Sequence, residues 1–270
     1  MKSAFELSGK PQLLIVDGGG TLFDPGSVVP AYAFQGSFEG SLAEDGKPYG
    51  IDVKFDTVMI YMGMNKLEHI RKLLGEPEVK GQFDKRFGRS SSDIDSQILY
   101  EGFKERLYPS ASRNEEIPGV KEAAYRLKEA GIPMVMTTGY DRRMVDEIRK
   151  VLPWLDEVLL ASVTTTDIHR NKGRPAPFMI YRALEIAGIE NPAYAVNAGD
   201  TEVDTLSADN ANMPGIIVTS GSLKTKKDAE RINRKVGRNH LILDSLVDAI
   251  NFTLDGTLAD IIVKRDYRAN

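Results

Sequence analysis

Carboxylates stand at the ends of short apolar runs in this sequence. Asp17 follows one such run, Asp200 follows another, and Asp204 comes four residues after Asp200. Ligands of an open parallel sheet bind beyond the carboxyl ends of its strands, so we expect these three side chains to lie close together. Three carboxylates form a set of hard oxygen ligands, which favours Mg²⁺ over softer metals.

Other residues in the same positions predict a site for a phosphoryl group. The glycines at 18–20 allow backbone N–H groups to approach an anion. Thr138 and Gly139 offer a hydroxyl and an unhindered N–H, and Arg174 supplies a permanent positive charge. A carboxylate such as Asp17 can attack phosphorus in such a setting. Each of these residues alone is more often a turn or a helix cap, but their order at predicted strand ends favours the chemical interpretation.

An alternation of strands and helices is predicted to position these residues. Strands are predicted at 12–16, 132–138, 157–162, 194–198 and 214–220, and helices at 120–130, 142–151 and 177–187. This alternation is typical of βαβ units, in which helices cover both faces of a parallel sheet. The expected fold class is therefore α/β, with a Rossmann-like core.

The stretch from 27 to 112 has a different pattern. Long amphipathic segments at 29–42, 55–75, 79–87 and 92–107 indicate helices, and the stretch contains no clear buried parallel strand. We therefore predict a helical domain at 27–112, inserted into a core domain formed by 1–26 and 113–270.

The composition excludes several classes of protein. The chain of 270 residues has no cysteine, which excludes a disulfide scaffold, a cysteine-ligated metal site and a thiol nucleophile. A net charge of -4 argues against a nucleic-acid binder that relies on bulk positive charge. The apolar runs are too short to span a membrane, and the first residues lack the apolar core of a signal peptide. We expect a cytoplasmic protein with a small-molecule substrate and no nucleic-acid or membrane partner.

The ordered set of motifs resembles the haloacid dehalogenase superfamily. The matching motifs are Asp17-Gly18-Gly19-Gly20-Thr21, Thr138-Gly139, Arg174-Pro175 and Gly199-Asp200-Thr201-Glu202-Val203-Asp204. The resemblance implies that Asp17 is a nucleophile that becomes an aspartyl phosphate. Phosphatases of that superfamily carry a second Asp two residues after the nucleophile, as a general acid and base. Gly19 stands at that position here, so an alkoxide leaving group would depart without a proton donor.

A second set of residues resembles the phosphonatase branch of the superfamily, which also lacks that Asp and carries a lysine in its helical cap. The segment Met62-Gly63-Met64-Asn65-Lys66-Leu67-Glu68-His69 matches the cap signature, with Lys66 at the Schiff-base position. The departures are Gly19 where alanine is usual, Pro25 where an aromatic residue is usual, and additional chain after Asn251. The resemblance implies Mg²⁺-dependent hydrolysis of the C–P bond of phosphonoacetaldehyde.

The resemblance also implies roles for individual residues. Asp17, Lys66 and His69 are catalytic, and His69 assists proton movement around the imine. The substrate-binding residues are Thr138, Gly139, Arg174, Tyr140, Met62 and Ser27, although Tyr140 and Ser27 are equally compatible with packing and turn roles. The Mg²⁺ ligands are Asp17, the backbone carbonyl of Gly19, Asp200 and Asp204, the last binding the ion directly or through the groups around it.

Two alternatives and an assembly state accompany this hypothesis. A hydrolase of another phosphonate or phosphate ester would use Asp17 without needing Lys66. A non-catalytic phosphate-binding relative would keep the fold and bind phosphate without turnover. The resemblance implies a homodimer formed largely through the caps.

Overall fold

The computed structural model describes residues 9–24, 28–221, 225–237, 240–258 and 260. The strands are β1 (Leu13–Asp17), β2 (Phe23–Asp24), β3 (Glu115–Glu116), β4 (Met134–Thr138), β5 (Leu159–Thr164), β6 (Ala195–Gly199), β7 (Gly215–Val218) and β8 (Leu241–Leu243). The helices are α1 (Val29–Gly40), α2 (Phe55–Met59), α3 (Lys66–Gly75), α4 (Pro77–Phe87), α5 (Asp93–Leu107), α6 (Val120–Glu129), α7 (Arg142–Val151), α8 (Trp154–Val158), α9 (Phe178–Ala187), α10 (Glu202–Asn210), α11 (Lys226–Val236) and α12 (Leu246–Asp255).

The described residues form one six-stranded sheet in the order β5-β4-β1-β6-β7-β8, and every pair of neighbours is parallel. The chain moves outward on one side of β1 through β4 and β5, and then outward on the other side through β6, β7 and β8. The strand order thus reverses at β1, and a crevice forms at such a point beyond the carboxyl ends of the strands. The predicted α/β class and parallel sheet are confirmed.

The alternation of side chains along β1 builds a core on each face of the sheet. Leu14 and Val16 point into one apolar cluster, while Leu13 and Ile15 point into another that includes Met179 and other α9 residues. Strands buried on both faces read as continuous apolar runs, which is why β1, β4 and β6 were recognisable in the sequence. The first cluster continues among the helices α1–α5, where it includes Phe34 and Phe103.

Helices α1–α5 lie between β1 and β4 in the chain and form the helical insertion, defined here as Val29–Leu107. The predicted helices at 29–42, 79–87 and 92–107 are confirmed, with ends shifted by a few residues. The segment 55–75 is not one helix: it forms α2 and α3, separated by residues 60–65, where Gly63 has φ +86°. The domain boundaries after residues 26 and 112 stay predictions.

Two further elements differ from the sequence-based expectation. The strand expected at 157–162 begins at Leu159, because Trp154–Val158 forms the short helix α8. The antiparallel pair β2–β3 joins the chain just before the helical insertion to the chain just after it. None of the helices in the described part of the chain combines the length and apolarity that crossing a membrane requires.

Candidate active site

Three buried carboxylates lie together at the carboxyl edge of the sheet. Asp17 is the last residue of β1, Asp200 follows β6, and Asp204 lies in the first turn of α10. One oxygen from each lies within 4.8 Å of the others. The hydroxyl of Thr21 donates a hydrogen bond of 2.8 Å to Asp200 Oδ1, and the backbone N–H of Thr201 donates one of 3.1 Å to Asp204 Oδ2. These hydrogen bonds orient the carboxylates, and the cluster predicted from the sequence is present.

The electrostatics of this cluster suit a divalent cation. Burial raises the pKa of Asp17 despite the nearby guanidinium of Arg174, and the charge of Asp200 adds to the rise. Burial likewise raises the pKa of Asp204 to about 6, although Arg174 acts in the opposite direction. Carboxylates that repel each other in a buried site are stabilised in their charged form by a cation among them. The donor set is of hard oxygens, so the residues fit a metal ion of the Mg²⁺ type.

Gly221 closes the cluster on the side of Asp200. A Cβ atom at this residue would lie 2.2 Å from Asp200 Oδ2 and 2.4 Å from the carbonyl oxygen of Gly20. Both distances are far below ordinary contact, so a glycine is needed here for the chain to pass this close to the carboxylate. No sequence motif indicates a role for Gly221, because this residue lies outside the four motifs.

Arg174 connects the carboxylates through a buried guanidinium. Its Nη1 atom donates a hydrogen bond of 2.6 Å to Asp17 Oδ1 and a second one to Asp204. Although burial alone would lower it, the charges of Asp17 and Asp204 raise the pKa of Arg174 above its ordinary value, so the group stays charged. Its Nε atom is buried without a hydrogen-bond partner in the protein. The guanidinium therefore keeps donor capacity for a phosphoryl oxygen.

Lys66 is the first residue of α3 and is 6% exposed. Its Nζ atom lies 3.9 Å from Met62 Sδ and above the rings of Tyr140 and Phe34, 5.5 Å and 5.8 Å from their centroids. Burial, with a further contribution from the charge of Arg174, lowers the pKa of Lys66 to about 8. A much larger fraction of this amine is neutral near neutral pH than for an exposed lysine, and a neutral amine is a nucleophile.

His69 lies one turn after Lys66 on the same helix, fully buried. Its Nε2 atom lies 2.9 Å from the carbonyl oxygen of Val58, and its ring is 4.1 Å from the Phe34 ring between centroids. A carbonyl accepts, so Nε2 carries the proton and Nδ1 keeps its lone pair. Nδ1 has no hydrogen-bond partner. Burial and the charge of Lys66 lower the pKa of His69 well below 6.5, so the imidazole is neutral.

One cavity brings Asp17 and the amine of Lys66 together. Its lining residues are Asp17, Gly19, Pro30, Met62, Gly63, Lys66, Thr138, Gly139, Tyr140, Arg174 and Thr201. Asp200 and Asp204 lie beside the cavity, next to Asp17, and His69 lies behind Lys66 rather than in the lining. Ser27 lies outside the described residues.

Three of the lining residues were not predicted as site residues from the sequence. Gly63 and Thr201 lie inside two of the motifs, but neither was assigned a role of its own. Pro30 is in the first turn of α1. A lining role for such residues depends on how α1 and residues 60–65 pack on the core, which no local pattern indicates.

Residues 62–66 form the docking segment, which carries Lys66 onto the carboxyl edge of the sheet. A Cβ atom at Gly139 would lie 2.7 Å from the carbonyl oxygen of Met64 and 3.0 Å from that of Gly63. A Cβ atom at Gly63 would lie 2.5 Å from Val203 Cγ2. Glycines on both sides of this contact therefore allow the docking segment to approach the core closely.

Known proteins with similar sequences include hydrolases of one family. A model of the haloacid dehalogenase-like hydrolases matches residues 11–212. A phosphonoacetaldehyde hydrolase of Lysinibacillus sphaericus is 31% identical over 214 residues, which cover 79% of this chain and 76% of the relative. A phosphonoacetaldehyde hydrolase of Parabacteroides distasonis is 30% identical over 223 residues, covering 82% of this chain and 81% of the relative.

A solved structure extends the comparison to the fold. The crystal structure of a phosphonoacetaldehyde hydrolase-like protein from Oleispira antarctica superposes with a TM-score of 0.78 at 24% identity, covering 94% of this chain and 96% of that one. At this level of identity the likeness concerns the fold.

Proposed function

Because the chain belongs to the haloacid dehalogenase-like hydrolases, we propose that it hydrolyses the C–P bond of phosphonoacetaldehyde to acetaldehyde and phosphate. The observation that carries this proposal is the cavity shared by Asp17 and Lys66, a carboxylate nucleophile and a buried amine. The named function of the two curated relatives supports the same substrate.

The amine explains how a C–P bond can break in this site. A carbanion is a poor leaving group. In phosphonoacetaldehyde the aldehyde carbon is bonded to the phosphorus-bearing carbon, so condensation with an amine can avoid a free carbanion. The neutral Nζ of Lys66 adds to the aldehyde carbon, and the adduct takes up a proton and loses water, which gives an iminium ion. When the C–P bond breaks, its electron pair forms a C=C bond and neutralises the iminium nitrogen. The leaving group is then an enamine instead of a carbanion.

Asp17 receives the phosphoryl group. A carboxylate oxygen of Asp17 attacks phosphorus as the enamine departs, which gives an aspartyl phosphate. Water then releases phosphate from Asp17. The enamine takes up a proton on carbon, and a second water hydrolyses the resulting iminium to acetaldehyde and free Lys66. Because the leaving group is an enamine, no acid is needed at Gly19.

The residues around Asp17 bind the phosphoryl oxygens. The guanidinium of Arg174 and the hydroxyl of Thr138 donate to them. Asp17, Asp200 and the backbone carbonyl of Gly19 would hold Mg²⁺, with Asp204 either a further ligand or the residue that fixes Arg174. When bound, Mg²⁺ supplies positive charge that neutralises the phosphoryl oxygens.

The remaining proposed roles surround the amine. The free lone pair on Nδ1 of His69 supports a part in moving protons around the imine. Met62 and Tyr140 enclose Nζ and keep water from it. The roles of Ser27 and Gly139 in substrate binding, the homodimer and the cytoplasmic location stay predictions from the sequence.

Acetaldehyde release is the experiment that tests the function. Purified protein with Mg²⁺ and phosphonoacetaldehyde is expected to release acetaldehyde and phosphate in equal amounts, and the Lys66→Ala variant is expected to release neither. Full activity of Lys66→Ala would favour a hydrolase of another phosphonate or phosphate ester. Tight phosphate binding without turnover of any phosphonate or phosphoester would favour a non-catalytic relative.

The pH dependence of imine formation is expected to follow the lowered pKa of Lys66. Only the neutral amine reacts, so trapping of acetaldehyde on Lys66 by cyanoborohydride rises with pH, with a midpoint at about 8 instead of 10.5. Peptide mass spectrometry measures the ethylated Lys66 at each pH, and exposed lysines of the same digest serve as the internal control. A midpoint at the ordinary value would contradict a buried, docked amine.

The docking segment leads to a steric prediction. In Gly139→Ala, the new methyl would meet the Met64 carbonyl oxygen at 2.7 Å and would hold the segment away from the core. We expect kcat/KM to fall about 100-fold, because a displacement of about 1 Å is enough for such a loss. Gly81→Ala is the matched control, since its methyl on α4 meets nothing within 4 Å. Steady-state kinetics that are equal for both variants would show that docking does not need Gly139.

A further inference from the structure

We infer that Asn65 is a positioning residue: one end of its side chain fixes the start of the helix that carries Lys66, and the other end holds that start against the Arg174 loop. The inference rests on the proposed function, because it assigns a role in placing the amine. It assigns a role to a residue that lies within the cap signature but was not predicted as a site residue, and that touches neither substrate nor metal in the scheme above.

The carbonyl end of the Asn65 side chain caps α3. Its Oδ1 atom accepts hydrogen bonds from the backbone N–H groups of Leu67 at 3.0 Å and Glu68 at 3.1 Å. The first N–H groups of a helix have no partner within the helix, and an Asn at this position satisfies them. Asn65 therefore determines where α3 begins, and Lys66 is its first residue.

The amide end of the same side chain contacts the core. Nδ2 donates to the carbonyl oxygen of Asn171, with a separation of 3.4 Å. Asn171 and the preceding Arg170 both have positive φ, 52° and 56°, in the left-handed region that asparagine tolerates but that is costly for arginine. This turn places the Asn171 carbonyl toward the docking segment. A Cβ atom at Gly173 would lie 3.5 Å from Asn65 Cβ, so the backbone segments around these two residues pack directly against each other.

These contacts link the two groups that must act at opposite ends of the substrate. Lys66 directly follows Asn65, and Arg174 comes three residues after Asn171. Lys66 would hold the aldehyde carbon while Arg174 holds the phosphoryl oxygens. A fixed separation between the two would align the C–P bond for attack by Asp17, and such alignment is a large part of catalysis.

Two substitutions separate the two ends of the side chain. Asn65→Ser keeps an N-cap oxygen, because serine caps about as well as asparagine, but its side chain is too short to reach Asn171. Asn65→Ala loses both functions. Ser245→Ala is the matched control: it removes the N-cap of α12, which accepts from the Asp248 N–H at a distance from the site.

We expect Asn65→Ser to lower kcat about tenfold with little change in KM, because the phosphoryl-binding residues of the core are untouched. Its Tm should stay near that of the wild type. Asn65→Ala should show the same kinetic loss and a Tm lower by about 2–4 °C, whereas Ser245→Ala should show only the loss of Tm. If Asn65 is merely a helix cap, Asn65→Ser will have the wild-type kcat, and the inference is overturned.

Hydrogen exchange gives a readout that does not depend on activity. In Asn65→Ser, amides of residues 169–173 should exchange several-fold faster while those of α3 keep their protection. Unchanged exchange in 169–173 would overturn the inference that Asn65 holds the start of α3 against the Arg174 loop. If the wild type releases no acetaldehyde, the proposed function fails, and the exchange of 169–173 still decides whether Asn65 holds the two segments together.

Discussion

Lys66→Met is expected to make the protein more stable while abolishing acetaldehyde release. The wild-type amine is buried among Met62, Tyr140 and Phe34, where its charged form is costly. The difference between the ordinary pKa of 10.5 and the value of about 8 in the folded protein corresponds to about 3 kcal/mol. Methionine has a similar shape and carries no charge, so it recovers most of that free energy.

The sign of the effect fixes its pH dependence. Below about 8 the amine is protonated in both states, and the folded state carries the full cost of the buried charge. As the pH rises toward 10.5, the folded protein loses the proton first and the cost disappears. The gain in the free energy of unfolding caused by Lys66→Met should therefore be largest below about pH 8 and vanish near pH 10.5.

Thermal unfolding at several pH values measures this effect. Near neutral pH we expect Lys66→Met to raise Tm by about 5–10 °C. Lys72→Met, on the exposed side of the same helix, is the matched control and should change neither Tm nor kcat appreciably. A lower Tm for Lys66→Met would mean that the lysine stabilises the fold, which contradicts a buried amine retained for chemistry.

The carboxyl edge of the sheet could be predicted well from the sequence. β1, β4 and β6 are apolar runs buried on both faces, and each is followed by residues unsuited to a strand interior. Because parallel strands bring those ends to one edge, the order of the motifs alone indicated that Asp17, Thr138 and Asp200 would meet. The identity of the family followed from the same residues.

The break between α2 and α3 could not be predicted in the same way. The apolar pattern of 55–75 continues through residues 60–65, so periodicity favours one helix. Gly63 with its positive φ and the capping side chain of Asn65 end that continuity. Their effect depends on contact with Val203 and Gly139, which lie far away in the sequence.

The position of the His69 side chain relative to the cavity could not be predicted from the sequence either. Its spacing from Lys66 correctly predicts that both residues lie on α3. The spacing does not predict that His69 lies behind the lysine instead of in the cavity. The ring is held there by the carbonyl of Val58 and by Phe34, which come from α2 and α1. Packing among separate helices, which has no local sequence signal, decides which of two neighbouring residues reaches the cavity.

Gly19→Asp is expected to give the protein activity on alkyl phosphates. An aspartic acid two residues after Asp17 would supply the proton that an alkoxide leaving group needs, which is worth about 100-fold or more in rate. The φ of Gly19 does not require a glycine: Gly20 lies in the left-handed region at φ +89°, but Gly19 does not. Phosphate release from an alkyl phosphate, which has a poor leaving group, measures the gain.

Two further variants make this result specific. Gly19→Asn has nearly the same size but no acidic proton, so it should gain nothing. The double variant Gly19→Asp/Lys66→Met should keep the new activity on alkyl phosphates and lose the cleavage of phosphonoacetaldehyde, because an ester does not need an imine. If Gly19→Asp binds phosphate and Mg²⁺ as the wild type does but gains no esterase activity, the missing acid is not what excludes esters. If the gain appears, Gly19 and Lys66 together determine which leaving group the site can expel. Lys66 allows a carbon leaving group to depart as an enamine, and Gly19 provides no acid to protonate an alkoxide.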